Sequence, residues 1–172
     1  MTATQIPSEA TIVIRHLRER DLPGLEWDGE YRHYRRVYHE SFEEAQSGQR
    51  IIWVAVDNET LVGQVFIQLN SGERQFADAV HRAYLYALRV RRPWQGQGVG
   101  RQLLAAAEAE LRSRGFLYSV IAAGKDNARA LHLYQSLGYR IFTEDPGLWV
   151  FTDADGETRR VEEPCWVLEK RL

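Results

Sequence analysis

Apolar residues in this chain fall into short alternating or continuous runs, separated by stretches with helical spacing. Thr11-Ile12-Val13-Ile14-Arg15 reads as a first strand, and Asp21-Leu22-Pro23 as a helix start with Asp21 as cap and Pro23 in the first turn. From Glu30 to Gln46, the positions Tyr31, Tyr34, Tyr38, Phe42 and Ala45 recur every three or four residues, which predicts one face of a helix that Gly48 ends. Ile51 to Val56 and Leu61 to Ile67 are apolar runs around Asp57-Asn58-Glu59, the pattern of an antiparallel hairpin. The polar stretch Asn70 to Asp78 reads as a loop.

Strict alternation returns at Tyr84 to Val90. It predicts a strand with Tyr84, Tyr86, Leu88 and Val90 on one face and Leu85, Ala87 and Arg89 on the other. A helix follows from about Val99 to Arg114, with Val99, Leu103, Leu104, Ala107 and Leu111 as its buried stripe and Gly115 as its stop. Phe116 to Ala122 is a strand, and a further helix begins near Asn127 with Asp126 as N-cap. Strand, helix, strand in this order is a βαβ unit, whose right-handed crossover makes the two strands parallel. Leu148 to Phe151, Asp155-Gly156 and Cys165 to Lys170 predict two tail strands around a turn. There is no internal repeat, and the whole of 1–172 reads as a single α/β domain of mixed α+β character.

The segment Val90-Arg91-Arg92-Pro93-Trp94-Gln95-Gly96-Gln97-Gly98-Val99-Gly100-Arg101 carries the chemistry, because three glycines lie between a strand and a helix start. Without a Cβ the chain takes tight positive-φ turns there, and an anion can approach the main-chain N–H groups. The nucleotide P-loop fails for want of a Lys-Ser/Thr pair after the last glycine, and the dinucleotide fingerprint fails because Arg101 stands where its third glycine belongs. Gln95-x-x-Gly98-x-Gly100 remains, after a strand ending Leu88-Arg89-Val90.

That loop resembles the pyrophosphate-binding loop of the GCN5-related N-acetyltransferases (GNAT), and a second segment strengthens the likeness. Asn127-Ala128-Arg129-Ala130-Leu131-His132-Leu133-Tyr134-Gln135-Ser136-Leu137-Gly138-Tyr139 is similar to the family's N-x-x-A-x-x-x-Y-x-x-x-G-[FY] signature. The resemblance, strongest over residues 50–140, implies a mixed, mostly antiparallel central sheet with helices on both faces, split by acetyl-coenzyme A. It implies that main-chain groups of Leu88 and Val90 face the thioester arm, that Gln95, Gly96, Gln97, Gly98, Val99, Gly100 and Arg101 meet the pyrophosphate, and that Asn127 bonds the pantetheine. It makes Tyr134 the general acid for the departing thiolate. Seven residues at about 100° each fall about 20° short of two turns, so Asn127 and Tyr134 share a helix face with Ala130. A phenol of pKa about 10 is protonated at neutral pH and suited to that role.

One departure from the family is plain. Where relatives carry a glutamate as general base, this chain has Tyr86 and Ala122. The acceptor amine therefore needs a lowered pKa, or a water chain to a carboxylate that the sequence does not locate. Arg91, Arg92 and Arg101 surround the loop, and which of them meets phosphate stays open. Tyr31, Tyr34, Tyr38 and Trp149 either line an acceptor cleft or belong to the core; Glu162 and Glu163 either attract a cationic acceptor or are simply solvated. The five histidines lack metal-ligand spacing, so no metal is assigned, and Cys165 in an apolar strand reads as packing.

Composition removes other classes. With 22 basic against 24 acidic residues, a nucleic-acid partner is not expected. One cysteine provides no disulfide framework and suits a reducing, cytoplasmic setting, and no apolar run approaches the roughly 20 residues of a membrane span. Met1 to Ala10 has no signal pattern. The reading is an acetyl-coenzyme A-dependent N-acetyltransferase acting on a small-molecule or peptide amine, with a homodimer left open. Its rival is a non-catalytic module that binds or senses acetyl-coenzyme A.

Overall fold

The computed structural model describes residues 11–172; the leader-free reading of Met1 to Ala10 falls outside the described residues. In chain order the elements are β1 (Ile12–His16), α1 (Arg35–Gln46), β2 (Arg50–Asp57), β3 (Thr60–Gln68), β4 (Arg82–Val90), α2 (Val99–Ser113), β5 (Tyr118–Gly124), α3 (Ala128–Ser136), β6 (Arg140–Asp145), β7 (Leu148–Thr152), β8 (Thr158–Glu162) and β9 (Cys165–Arg171). Seven strands form one sheet in the order β1-β2-β3-β4-β5-β9-β6, and β7 with β8 makes a separate hairpin. Among the described residues only β4 and β5 pair in parallel, joined through α2, as the βαβ pattern predicted.

Apolar burial sorts the helices onto two faces. The α2 stripe Val99, Leu103, Leu104, Ala107 and Leu111 is buried against β2, β3 and β4, and Tyr134 of α3 joins the same cluster. Leu22, Leu25 and Tyr38 pack on the opposite face against Ile52, Val54 and Phe66. A buried polar link ties α2 to the far strands: Tyr139 donates to Glu108 (2.9 Å), Lys170 donates to the same carboxylate (2.9 Å), and Ser119 lies 2.7 Å from the Tyr139 hydroxyl. This gives the Gly138-Tyr139 end of the second motif a structural role.

Several expectations need correction. Asp21 does not open an α-helix. It lies inside 3-10 turns over Glu19–Gly29, where its carboxylate accepts the Arg18 N–H at 2.7 Å. Trp27, Asp28 and Gly29 then take left-handed backbone (φ 48°, 59° and 106°), which no right-handed helix can pass through, so α1 starts only at Arg35. Asn127, not Asp126, caps α3, its Oδ1 accepting the Ala130 N–H at 3.1 Å. The tail is not one hairpin: β7 pairs with β8, while Cys165–Arg171 enters the main sheet between β5 and β6.

The alternation along β4 also breaks. Gln64 pairs with Arg89 but Phe66 pairs with Tyr86, so β4 carries an extra residue, and Ala87 takes φ +52° to accommodate it. Leu88 and Val90 therefore join Leu85 on the α2 face, and Ala87 and Tyr86 share the α1 face. Arg89 turns toward the α1 side, where it meets Tyr31, Tyr34 and Tyr38.

Entry to β4 is fixed by Asp78, whose Oδ1 accepts the N–H groups of Val80 (3.0 Å), His81 (2.7 Å) and Arg82 (2.8 Å). Burial pulls its pKa up, but these backbone donors outweigh it and hold the carboxyl at about 2. A depressed folded pKa contributes stability above the ordinary value near 4 that is lost as pH falls toward 2. Asp78→Ala is thus expected to lower Tm at pH 7, with the gap to wild type closing between about pH 4 and 2. A gap that stays constant across that range would deny Asp78 this role.

Candidate active site

Parallel pairing of β4 with β5 begins at Arg82↔Tyr118 and stops at Leu85↔Ile121, although β4 continues to Val90 and β5 to Gly124. The extra residue at Ala87 falls just past that point. A groove of about 970 Å³ passes along the opened strand, at the upper end of the roughly 300–1,000 Å³ of small-molecule sites. Leu88, Val90, Gln95, Gly96, Gly98, Val99, Gly100, Arg101, Asn127 and Tyr134 all line it. Gln97 does not: its amide turns back to donate to the Pro93 carbonyl at 3.1 Å.

At one end the groove meets the start of α2. Gly96 and Gly98 have φ of +75° and +82°, which L side chains rarely adopt, and a Cβ on either would meet no atom within 4 Å. Backbone geometry demands glycine here and leaves the surface bare. No described side chain caps α2, so its first N–H donors and the positive end of its dipole face the groove as donors for an anion. Trp94 anchors the loop by donating to Asp57 at 2.8 Å.

Cations gather at the same end. Arg101 reaches Ser136 (3.2 Å) and Arg129 reaches the Gln95 side-chain oxygen (3.2 Å); among the described residues neither pairs with a carboxylate, nor does Arg92. Arg91 is different, because it pairs with Asp28 at 3.0 Å and lies 5.6 Å from the Trp27 ring. Arg129 escaped the sequence reading because it fills a variable position of the second motif. Its placement in the first turn of α3, as with Arg101 in α2, was the available signal. The Gln95 amide donates to the Val90 carbonyl at 2.8 Å, so that main-chain acceptor is already engaged.

Midway stand Asn127 and Tyr134. Capping occupies the Asn127 Oδ1, and its amide nitrogen remains a donor. The Tyr134 side chain is buried on α3, its hydroxyl bonds no other described residue, and burial pushes its pKa up to about 12. It keeps its proton throughout the physiological range. Neither of the two family base positions is a carboxylate: Ala122 is an alanine, and the Tyr86 hydroxyl accepts from Arg50, which pairs with Glu44 at 2.5 Å. Burial raises the Tyr86 pKa despite Arg50, so Tyr86 cannot serve as a base near neutrality.

On the α1 side the surroundings are aromatic. The tyrosine stripe divides: Tyr38 is core, its pKa pushed up to about 12 by burial, whereas Tyr31 lines the groove. Tyr34 stacks on Trp149 of the β7–β8 hairpin (5.9 Å) and lies 4.9 Å from Phe151. Glu162 and Glu163 are exposed at the base of that hairpin. Half-buried Cys165 has its thiol pKa raised, by burial first and then by Asp145, which suits packing and not nucleophilic use.

This geometry can be compared with known proteins. A family model for the GNAT acetyltransferases matches residues 13–139. Mycothiol acetyltransferase of Thermobifida fusca is 34% identical over 61 residues, which cover 36% of this chain and only 19% of that relative. Among solved structures, the ribosomal-protein-S18-alanine N-acetyltransferase from Escherichia coli superposes with a TM-score of 0.67 at 23% identity, covering 94% of each chain. The PaiA N-acetyltransferase from Thermoplasma acidophilum, solved in complex with coenzyme A, gives 0.67 at 17% identity over 94% of this chain and 99% of that one. At these identities the structural likeness establishes the fold, and the family match over most of the sequence establishes descent: the chain belongs to the GNAT acetyltransferase family.

Proposed function

We propose that this chain transfers the acetyl group of acetyl-coenzyme A directly to a primary amine. One observation carries the reading: a helix start with bare glycines, and with arginines that pair with no carboxylate among the described residues, opens onto a groove that leads past Tyr134. The residues fit the coenzyme. Donors at the start of α2, with Arg92, Arg101 and Arg129, would hold the diphosphate, each charge-assisted bond contributing roughly 1.5–3 kcal/mol. The Asn127 amide nitrogen and the free edge of β4 at Leu88 would hold the pantetheine arm.

Bound acetyl-coenzyme A supplies an acyl group already activated as a thioester, so no side-chain nucleophile is required. What the chain contributes is orientation and a proton. Tyr134, held near pKa 12 by burial, donates a hydrogen bond to sulfur as negative charge grows there and passes its proton late, since a thiol's reference pKa is only about 8.5; the proton that the amine nitrogen sheds on becoming an amide then restores the phenol. Without a glutamate at Tyr86 or Ala122, the amine has to arrive neutral. At pH 7 that costs about 4.6 kcal/mol for a lysine amine of pKa 10.4 but about 1.4 for an α-amine near 8, which favours α-amines. The setting we assign is one cytoplasmic catalytic domain, based on the single cysteine; no helix among the described residues is long and apolar enough to cross a membrane.

Calorimetry with coenzyme A, together with thiol release from acetyl-coenzyme A in the presence of amines, tests this. We expect binding that Gly98→Val weakens at least about tenfold, since a β-branched residue does not take φ +82° without strain. Absence of coenzyme binding would sink the proposal, and binding without turnover on any amine would favour the sensing module.

A further inference from the structure

We infer that Arg89 selects the acceptor: its guanidinium receives the carboxylate of an amine that also carries a free carboxylate, such as an α-amino acid. The inference rests on the acetyl-transfer reading and adds to it the chemical class of the second substrate.

Arg89 is aimed by the irregularity in β4. Had the strand alternated regularly, its side chain would have lain opposite Tyr86; the extra residue at Ala87 sends it to the α1 face instead. There the guanidinium carbon lies 4.4 Å from the Tyr31 ring centroid and 5.5 Å from that of Tyr34. Its remaining contact is a long bond to the Tyr38 hydroxyl at 3.5 Å. A guanidinium has five N–H donors, and no carboxylate among the described residues pairs with this one. By contrast, Arg35 pairs with Glu26 at 2.7 Å and Arg50 with Glu44.

Position turns an unsatisfied cation into a recognition element. Arg89 lines the groove together with Tyr31, on the α1 side of the sheet and across from the face that Leu88 and Val90 share with α2. If phosphates occupy the start of α2, the amine enters from the α1 side, where Arg89 points. A guanidinium lying against aromatic rings is weakly hydrated and keeps its planar fork free for a two-point bond to carboxylate, and the rings lower the cost of leaving it without a fixed counter-ion.

The test uses the wild-type chain with saturating coenzyme A or acetyl-coenzyme A, and matched pairs of probes: phenylalanine, leucine and glutamate against their α-carboxamides, with phenethylamine as the amine lacking both groups. Binding is read by calorimetry on the coenzyme-loaded protein and turnover by thiol release. Acids are expected to exceed amides roughly 10–100-fold in affinity and in kcat/KM for at least one pair. Arg89→Gln should bring that ratio close to one while coenzyme affinity stays unchanged, and Arg89→Lys should restore only part of it, because a point charge lacks the fork. Equal behaviour of acids and amides in every pair, or failure of all the probes to bind, overturns the inference; so does a ratio that survives Arg89→Gln. The binding arm is independent of turnover, so a chain that binds amino acids without acetylating them would retain the Arg89 site and lose the acetyl-transfer reading instead.

Discussion

Tyr134→Phe is expected to lower kcat by roughly 10²–10⁴-fold while coenzyme A binds as tightly as before. The change removes one hydroxyl that bonds no other described residue, so it leaves no partner unsatisfied and the fold should tolerate it. Thiol release with a competent amine, set beside coenzyme calorimetry, separates the two readouts. Unchanged turnover would take Tyr134 out of the mechanism. A second consequence concerns pH. Burial holds the folded pKa at about 12 against about 10 in the unfolded chain, so the neutral phenol's contribution to stability is complete below pH 10 and disappears as pH rises toward 12. The Phe variant should lack this alkaline loss.

The second large effect is expected at Gly147, where the chain enters the β7–β8 hairpin. Its φ is +66°, and a Cβ there would lie 1.9 Å from the Glu163 carbonyl oxygen and 2.4 Å from its carbon, both of them backbone atoms that no rotamer change can move aside. The glycine N–H also donates to Asp145 at 2.7 Å, and its carbonyl accepts from the Glu163 N–H at 3.0 Å. Gly147→Ala combines left-handed strain with overpacking, together roughly 2–5 kcal/mol, which for a domain of this size is a Tm loss of roughly 5–15 °C. Because Trp149 and Phe151 of this hairpin pack on Tyr34, whose ring lies beside Arg89, acceptor KM should rise while coenzyme affinity holds. A Tm within 2 °C of wild type would show that the two segments can separate freely.

What could be read in advance followed physical type. The α2 stripe, the β2–β3 hairpin and the parallel β4–β5 pair rest on periodicity that tertiary context reinforced, and all three are present. The glycine loop was legible because φ above zero and bare backbone leave a residue-type signature. Strand β6 was missed: Arg140, Ile141 and Phe142 are exposed on an edge, so no buried face imposed a pattern. The facing of Arg89 was missed for another reason, since Ala87 is not a residue type that announces positive φ, and one extra residue reverses every side chain beyond it. Tyr31 looks like core at helical spacing, but it follows the left-handed run from Trp27 to Gly29, lies before α1 and lines the groove.

The order of strands in the sheet has a consequence for the timing of folding. β1 to β4 pair with sequence neighbours and can assemble as they leave the ribosome, but among the described residues β6 pairs only with β9, which follows it by two intervening strands. Until Cys165–Arg171 has been made and inserted, β5 and β6 present raw edges, and the Glu108–Lys170 pair that clasps α2 cannot form. Nascent chains of this protein would accordingly be most vulnerable to aggregation and to chaperone capture in the interval before β9 is released.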